Sequence, residues 1–175
     1  MELNGHIFLI GFMGSGKSTN AACLARLADA KRIEMDDAIT ESQGMEIWEI
    51  FRKYGEEHFR DLETGFLKSL LDREPAVVSC GGGAVLREEN VRLMKSMGKI
   101  VLLTARPETI FERVKDSGDR PVLNGHMNLE YIKELMETRR PRYEAAADFS
   151  VATDGKTAEE ICLEILKTGQ EGMRS

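Results

Sequence analysis

The sequence predicts an α/β fold in which helices cover both faces of a mainly parallel sheet. Short apolar runs alternate along the chain with longer segments of helical periodicity, and a glycine-rich turn joins the first run to the first helical segment. Such alternation is typical of parallel strands linked by helices. The 175 residues fit one domain, which we place over residues 1–168, followed by a tail over residues 169–175.

Strands are predicted where β-branched or aliphatic runs end at a glycine or a polar residue. These runs are residues 7–10, 32–35, 76–79, 99–103 and 149–152. Helices are predicted over residues 18–28, 46–54, 56–71, 88–97, 107–114, 129–139 and 157–166. In the first of these helices, Ala21, Leu24 and Ala28 share one face, as expected of a buried stripe. Residues 116–127 lack periodicity, which predicts either a surface loop or a mobile lid.

The charge balance is acidic, with 30 Asp and Glu against 24 Lys and Arg and a formal net charge of -6. This balance argues against a broad basic face that binds nucleic acid or an anionic membrane. Cys23, Cys80 and Cys162 are widely spaced, which favours free thiols in a reducing cytoplasm over disulfides or a zinc site. No apolar stretch reaches the about 18 residues that a bilayer requires. We expect a cytoplasmic monomer without a membrane or nucleic-acid partner.

Residues 11–18 read GFMGSGKS and satisfy the phosphate-binding pattern G-x-x-x-x-G-K-[ST] between a predicted strand and a predicted helix. Glycines let backbone N–H groups approach phosphate oxygens, and the following helix directs its N-terminus at them. Lys17 then bridges the β- and γ-phosphates, and Ser18 holds Mg²⁺. The alternative is a plain strand–helix turn with a capping serine. The predicted nucleotide-binding residues of this loop are Gly14, Ser15, Gly16, Lys17, Ser18 and Thr19.

A phosphate loop alone does not separate kinases from GTPases or motor proteins. The guanine-reading pattern N-K-x-D does not occur, and the chain is short for a motor ATPase, so a small-molecule kinase is favoured. Five further motifs follow in order, at residues 34–36 (EMD), 59–63 (FRDLE), 81–83 (GGG), 119–121 (DRP) and 139–143 (RRPRY). Together with the phosphate loop, this ordered set resembles the shikimate kinase family over about residues 5–167.

The resemblance implies a three-layer P-loop NTPase fold with a five-stranded parallel sheet. It places a substrate-binding region over about residues 34–64 and a closing lid over about residues 116–127. It also implies the reaction, in which ATP with Mg²⁺ phosphorylates the 3-hydroxyl of shikimate in aromatic amino-acid biosynthesis. Two alternatives stay open, namely a P-loop kinase for another hydroxylated acid such as gluconate and a nucleotide-binding regulatory module without catalysis.

The catalytic residues implied by this resemblance are Lys17, Asp36 and Arg120. Asp36 accepts a hydrogen bond from the substrate hydroxyl and either orients it or takes its proton. An aspartate that follows a strand can also cap the next helix, and we assign that role to Asp37. Arg120 lies in the lid and stabilises the transferring phosphoryl group, whereas Arg113 packs on the adenine ring.

The substrate carboxylate is assigned by the same resemblance to Arg60 and Arg139. Two guanidinium groups match a planar anion through paired hydrogen bonds that lysine cannot form. The alternative for Arg60 is a surface ion pair with neighbouring glutamates, which would contribute little. Gly81, Gly82 and Gly83 follow a predicted strand, and we expect their backbone N–H groups to face the substrate.

One position departs from the family pattern. Glu34 stands where the family usually has an aspartate near the water shell of Mg²⁺. The longer side chain displaces the carboxylate, so that the contact with the ion is kept through a different water or lost. The predicted metal-binding residues are therefore Ser18, directly, and Glu34, through water.

Overall fold

Five parallel strands form the centre of the computed structural model, which describes residues 3–116 and 128–171. They are β1 (His6–Ile10), β2 (Lys31–Glu34), β3 (Ala76–Ser79), β4 (Gly98–Thr104) and β5 (Phe149–Ala152). Their order across the sheet is β2-β3-β1-β4-β5, and every neighbouring pair is parallel. This confirms the predicted α/β class and the five-stranded parallel sheet.

Helices connect the strands and cover both faces of the sheet. They are α1 (Lys17–Ala28), α2 (Met35–Gln43), α3 (Ile47–Lys68), α4 (Glu88–Met97), α5 (Pro107–Val114), α6 (Leu129–Ala146) and α7 (Ala158–Glu171), with a short 3₁₀ turn at Ala84–Leu86. Among the described residues, none of these helices is both long and apolar enough to cross a membrane.

Each face of the sheet packs against its own apolar core. Because side chains alternate along a strand, Phe8 and Ile10 of β1 enter one core and Leu9 enters the other. The core around Leu9 is closed by α1 and α7, through residues such as Leu24 and Ile161. The core around Phe8 is closed by the remaining helices. This three-layer arrangement leaves the carboxyl ends of the strands open, which is where α/β sheets bind ligands.

The two helices between β2 and β3 differ from the predictions in three ways. The predictions missed helix α2. This helix buries only Met35 and Ile39, so its apolar stripe is too short to be recognised in the sequence. Met35 begins this helix instead of ending β2, which stops at Glu34. The two helices predicted around residue 55 are joined in α3 across a kink at Gly55, whose φ is 84°.

The last two helices are longer than predicted. α6 continues past residue 139 although it contains Pro141, because Arg139, Tyr143 and Ala146 are buried along one face of the helix and hold the later turns in place. α7 runs to Glu171, so residues 169–171 are helical and not part of a tail. Most of the predicted lid, with Arg120, and residues 172–175 of the predicted tail lie outside the described residues.

Candidate active site

The phosphate loop occupies the carboxyl end of β1, the central strand. Gly14 and Gly16 adopt positive φ values of 77° and 95°, and α1 begins immediately after Gly16, so the N-terminus of α1 opens onto the loop. Lys17 Nζ donates hydrogen bonds to the carbonyl oxygens of Gly11 (2.7 Å) and Phe12 (3.1 Å). The lysine side chain thus folds back across the loop, which suits a cation that faces phosphate oxygens.

A cavity of about 400 Å³ lies against this loop. Five of the six predicted loop residues line it, namely Gly14, Gly16, Lys17, Ser18 and Thr19. Ser15 is placed differently. Its backbone N–H donates to the Phe12 carbonyl (3.1 Å), and its buried hydroxyl has no hydrogen-bond partner among the described residues. The tight turn after Phe12 therefore directs the polar groups of Ser15 away from the cavity.

Oxygen atoms from the ends of two strands, β2 and β3, converge beside Ser18. Its hydroxyl donates to Glu34 Oε2 (2.9 Å) and lies 3.4 Å from Ser79 Oγ. The second oxygen, Glu34 Oε1, is buried and makes no hydrogen bond within the described part of the chain. Hydroxyl and carboxylate oxygens are the ligands that Mg²⁺ prefers. The described residues form no group of three His, Cys, Asp or Glu that could hold a metal alone, so a cation here would need oxygens from phosphates and water.

A second cavity, of about 370 Å³, adjoins the first. Met13, Asp36, Gly81 and Gly82 line both cavities, so these residues mark the boundary between them. Asp36 lies in the first turn of α2, where a carboxylate is stabilised by the helix dipole. The prediction that Asp37 caps this helix is wrong, because α2 begins two residues earlier, at Met35, and residue 37 lies inside its first turn.

Arg60 reaches the second cavity from α3. It is only 6% exposed, and it forms ion pairs with Glu63 (2.8 Å) and Glu56 (3.0 Å). Burial alone would lower the pKa of Arg60, but the two glutamates outweigh burial and raise it.. The surface ion pair weighed for Arg60 is therefore wrong, since this guanidinium is buried, charged and turned to the cavity.

Glu63 is fully buried beside Arg60. Burial raises the pKa of its carboxyl, the Arg60 guanidinium opposes that rise, and the nearby Asp36 carboxylate adds to it. One oxygen, Oε2, accepts from Arg60, whereas Oε1 has no hydrogen bond to any described residue. Glu63 also lines the cavity, beside the Arg60 guanidinium.

The three glycines after β3 lie against the charged side chains of the site. A Cβ at Gly81 would stand 2.8 Å from Glu63 Oε1 and 3.0 Å from Asp36 Oδ1, and a Cβ at Gly83 would overlap the Arg60 guanidinium. A Cβ at Gly82 would stand 3.5 Å from Arg139 Nη1. The close packing of these side chains thus accounts for two of the three glycines.

Arg139 completes the cavity from the opposite side. It belongs to α6, is 9% exposed and lines the same cavity as Arg60. The two arginines thus reach one cavity from two different helices, α3 and α6. Arg140 and Arg142, which carried no predicted role, are exposed.

Arg113 contacts the phosphate loop from α5. Its Nη1 donates to the Gly14 carbonyl (2.9 Å) and to Thr153 Oγ1 (3.3 Å). The side chain also lines the cavity of the phosphate loop, which agrees with a position on the nucleotide side of the site.

Comparison with known proteins relates this site to one family. A family model described as shikimate kinase matches residues 13–170. A shikimate kinase of Thermodesulfovibrio yellowstonii is 42% identical over 162 residues, which cover 93% of each chain. The structure of shikimate kinase from Acinetobacter baumannii in complex with shikimate has a TM-score of 0.91 at 30% identity, covering 96% of this chain and 94% of that one. The structure from Aquifex aeolicus has a TM-score of 0.81 at 40% identity, covering 97% and 98%.

Proposed function

Because the chain belongs to the shikimate kinase family, we propose that it transfers the γ-phosphoryl group of ATP to the 3-hydroxyl of shikimate. The products are ADP and shikimate 3-phosphate, an intermediate of aromatic amino-acid biosynthesis. The observation that carries this proposal is the pair of adjoining cavities with Asp36 in the wall of both. One cavity has the lining expected for a triphosphate, and the other has two buried arginines suited to a small carboxylate.

In this proposal, Lys17 and the N–H groups at the start of α1 bind the β- and γ-phosphates. The substrate oxygen attacks the γ-phosphorus while the bond to the leaving ADP oxygen breaks. Asp36 accepts the hydrogen bond of the attacking hydroxyl and takes up its proton. Phosphoryl transfer depends mainly on positioning and on stabilising charge, so holding the hydroxyl at the boundary between the cavities is the chief contribution of Asp36.

The carboxylate of shikimate is assigned to Arg60 and Arg139, with the backbone of residues 81–83 against the ring. A buried guanidinium forms strong paired hydrogen bonds with a carboxylate. Glu63 and Glu56 fix the Arg60 side chain before the substrate arrives, which lowers the entropic cost of binding. Arg113 is assigned to the adenine side of ATP, and Arg120 to the transferring phosphoryl group on the basis of the family resemblance.

Mg²⁺ is part of the same proposal. Ser18 would hold the ion, and Glu34 would accept hydrogen bonds from its water shell; both supply the oxygen donors that fit Mg²⁺. When bound, the ion neutralises phosphate charge. We also infer one catalytic domain that extends to the end of α7 at Glu171, three residues beyond the boundary at 168 expected from the sequence. We further infer a cytoplasmic monomer without nucleic-acid or membrane partners; the net charge of -6 supports the absence of a basic binding face.

The test is an assay of ADP release with shikimate, with gluconate and with no acceptor. We expect turnover with shikimate alone, because the two arginines and the three glycines together suit a cyclic carboxylate with neighbouring hydroxyls. Turnover with gluconate would favour a P-loop kinase for another hydroxylated acid. Tight ATP binding without turnover would favour a nucleotide-binding regulatory module without catalysis. Either result would contradict the proposal.

A further inference from the structure

Two buried polar side chains join helix α3 to the turn formed by the three glycines. Thr64 lies one turn after Arg60 on α3 and is 6% exposed, and Asn90 lies in the first turn of α4 and is fully buried. The Thr64 hydroxyl donates to Asn90 Oδ1 at 2.7 Å, and Asn90 Nδ2 donates to the carbonyl of Ala84 at 2.9 Å. We call these two hydrogen bonds the Thr64–Asn90 link. Neither side chain lines the two cavities of the site.

The donors and acceptors of the link allow one arrangement. The Ala84 carbonyl can only accept, so the amide nitrogen of Asn90 faces it and the amide oxygen faces Thr64. That oxygen can only accept as well, so the proton of the Thr64 hydroxyl is directed to it. The same hydroxyl lies 3.1 Å from the carbonyl oxygen of Arg60, the longer of its two contacts with acceptors. A residue without the hydroxyl would leave a buried amide oxygen without its donor, which is costly.

The link ends directly behind the glycines that face the substrate cavity. The N–H of Ala84 donates to the Gly81 carbonyl at 3.1 Å, so residues 81–84 form one tight turn. Because the link holds the carbonyl of Ala84, it holds this turn against α3. The guanidinium of Arg60, which also comes from α3, packs directly on Gly83, where an added Cβ would stand 2.5 Å from Cζ. The distance between the turn and α3 therefore determines the space in which this guanidinium lies.

We propose that Thr64 and Asn90 are positioning residues for substrate binding, because the link between them fixes the glycine turn against α3 and so keeps the Arg60 guanidinium in place. Glu63 holds this guanidinium by an ion pair within α3, and Gly83 meets it from the turn. The inference rests on the proposed function, which assigns the carboxylate of shikimate to Arg60. Without the link the turn can move away from α3, and the guanidinium loses the surface that confines it.

The test is Thr64→Val, which keeps the branched shape of the side chain and removes the proton donor. We expect the KM for shikimate to rise about tenfold, the effect of losing one hydrogen bond to a charged group when Arg60 shifts. The KM for ATP and the kcat at saturating shikimate should stay within about twofold of the wild type. Thr64→Ser keeps the hydroxyl and should keep the wild-type KM. A role in stability alone would lower the melting temperature of Thr64→Val and leave its KM for shikimate unchanged.

Thr138→Val is the matched control. Thr138 is an exposed threonine of α6 whose hydroxyl donates to a carbonyl of its own helix, that of Glu134, at 2.9 Å. Its replacement removes a similar contact with the helix backbone but leaves the link intact, so this variant should behave as the wild type. If Thr64→Val does not fold, Thr64→Ala serves in its place, because alanine suits a helix better and also lacks the hydroxyl. The same rise in the KM for shikimate is expected.

A double-mutant cycle with Gly83→Ala tests the route of the effect. Gly83→Ala displaces Arg60 directly, so the losses in kcat/KM for shikimate in the two variants should combine to less than their product if Thr64 acts through Arg60. Losses that multiply in full, or an unchanged KM for shikimate in a folded variant without the Thr64 hydroxyl, would overturn the inference. A wild-type protein without activity on shikimate would instead overturn the proposed function, so the two failures are distinguishable.

Discussion

Gly83 and Arg60 are packed so closely that neither position can change without affecting the other. A Cβ added at residue 83 would stand 2.5 Å from Cζ of Arg60, well inside van der Waals contact. Arg60 cannot retreat easily, because Glu63 and Glu56 hold its guanidinium from behind. The glycine therefore defines where one carboxylate-binding arginine stands.

Gly83→Ala should raise the KM for shikimate by about tenfold or more, since the new methyl group displaces Arg60 and costs at least one charged hydrogen bond. The KM for ATP should stay within about twofold of the wild type, because a twofold change in affinity is only a small change in binding free energy. Steady-state kinetics with each substrate varied in turn makes the comparison. Gly65→Ala is the control, because an added Cβ there meets no atom within 4 Å. A wild-type KM for shikimate in Gly83→Ala would contradict the assignment of Arg60.

Lys17→Ala should lower kcat by about 10²–10³-fold, the usual effect of losing one donor that stabilises a transition state. Shikimate binding should survive, because Lys17 does not line the second cavity. Trp48, the sole tryptophan, does line it, so a fluorescence titration can measure the Kd for shikimate in the inactive variant. Lys115→Ala, at an exposed lysine, is expected to be fully active. Retained turnover in Lys17→Ala would refute the nucleotide assignment.

Asp36→Asn should lower kcat by about 10²-fold or more, as is typical when a group that accepts a proton is removed. The amide keeps the shape of the carboxylate but presents donors where an acceptor is needed. Binding of ATP should change little. The exposed Glu41 on the same helix offers a control, since Glu41→Gln removes a charge from a side chain that lines neither cavity. Equal kcat values for Asp36→Asn and wild type would remove this residue from the mechanism.

Glu34→Gln should raise the Mg²⁺ concentration required for half-maximal rate by about tenfold, the lower range for residues that orient a metal site through its ligands. The expectation follows from the hydrogen bond that Glu34 accepts from Ser18 and from its second oxygen, which makes no hydrogen bond to a described residue. Titrating Mg²⁺ at fixed ATP measures the effect, and saturating Mg²⁺ should restore most of kcat. An unchanged Mg²⁺ requirement would show that Glu34 lies outside the metal environment.

The affinity for shikimate should weaken as pH falls through the raised pKa of Glu63. Because the pKa of Glu63 is raised, its carboxyl takes up a proton at a higher pH than an exposed glutamate, and the protonated form no longer holds Arg60. The KM for shikimate should therefore rise as pH falls through that pKa. Glu63→Gln mimics the protonated form, so its KM should be high and nearly independent of pH over the same range. A parallel pH dependence in both proteins would assign the effect elsewhere.

Local patterns predicted the parts of the site that depend on neighbouring residues. The phosphate loop was recognisable because its glycines, Lys17 and Ser18 are contiguous and lie between a strand and a helix. The environment of Arg60 was not predictable locally. Its neighbours in sequence resemble an exposed helix, and its burial depends on Gly83, which lies 23 positions later in the chain. The family resemblance supplied the role of this arginine, and the packing explains how the role is possible.

Two other differences have similar causes. Ser15 belongs to the phosphate-binding pattern, yet the turn after Phe12 directs its hydroxyl to the interior, and a pattern of residue types carries no such orientation. Pro141 suggests the end of a helix, but burial of Tyr143 two residues later keeps α6 intact. That extension is what brings the Tyr143 hydroxyl to Gly82. Packing between residues distant in the sequence thus determines the features that periodicity alone could not predict.

The central claim is that the phosphoryl group goes to the 3-hydroxyl of shikimate. The most direct measurement is phosphorus–proton correlation NMR on the product formed from ATP, Mg²⁺ and shikimate. The account predicts one new phosphate ester coupled to the ring proton at carbon 3, in amounts equal to the ADP released. Phosphate on another hydroxyl, or ADP accompanied only by inorganic phosphate, would contradict it.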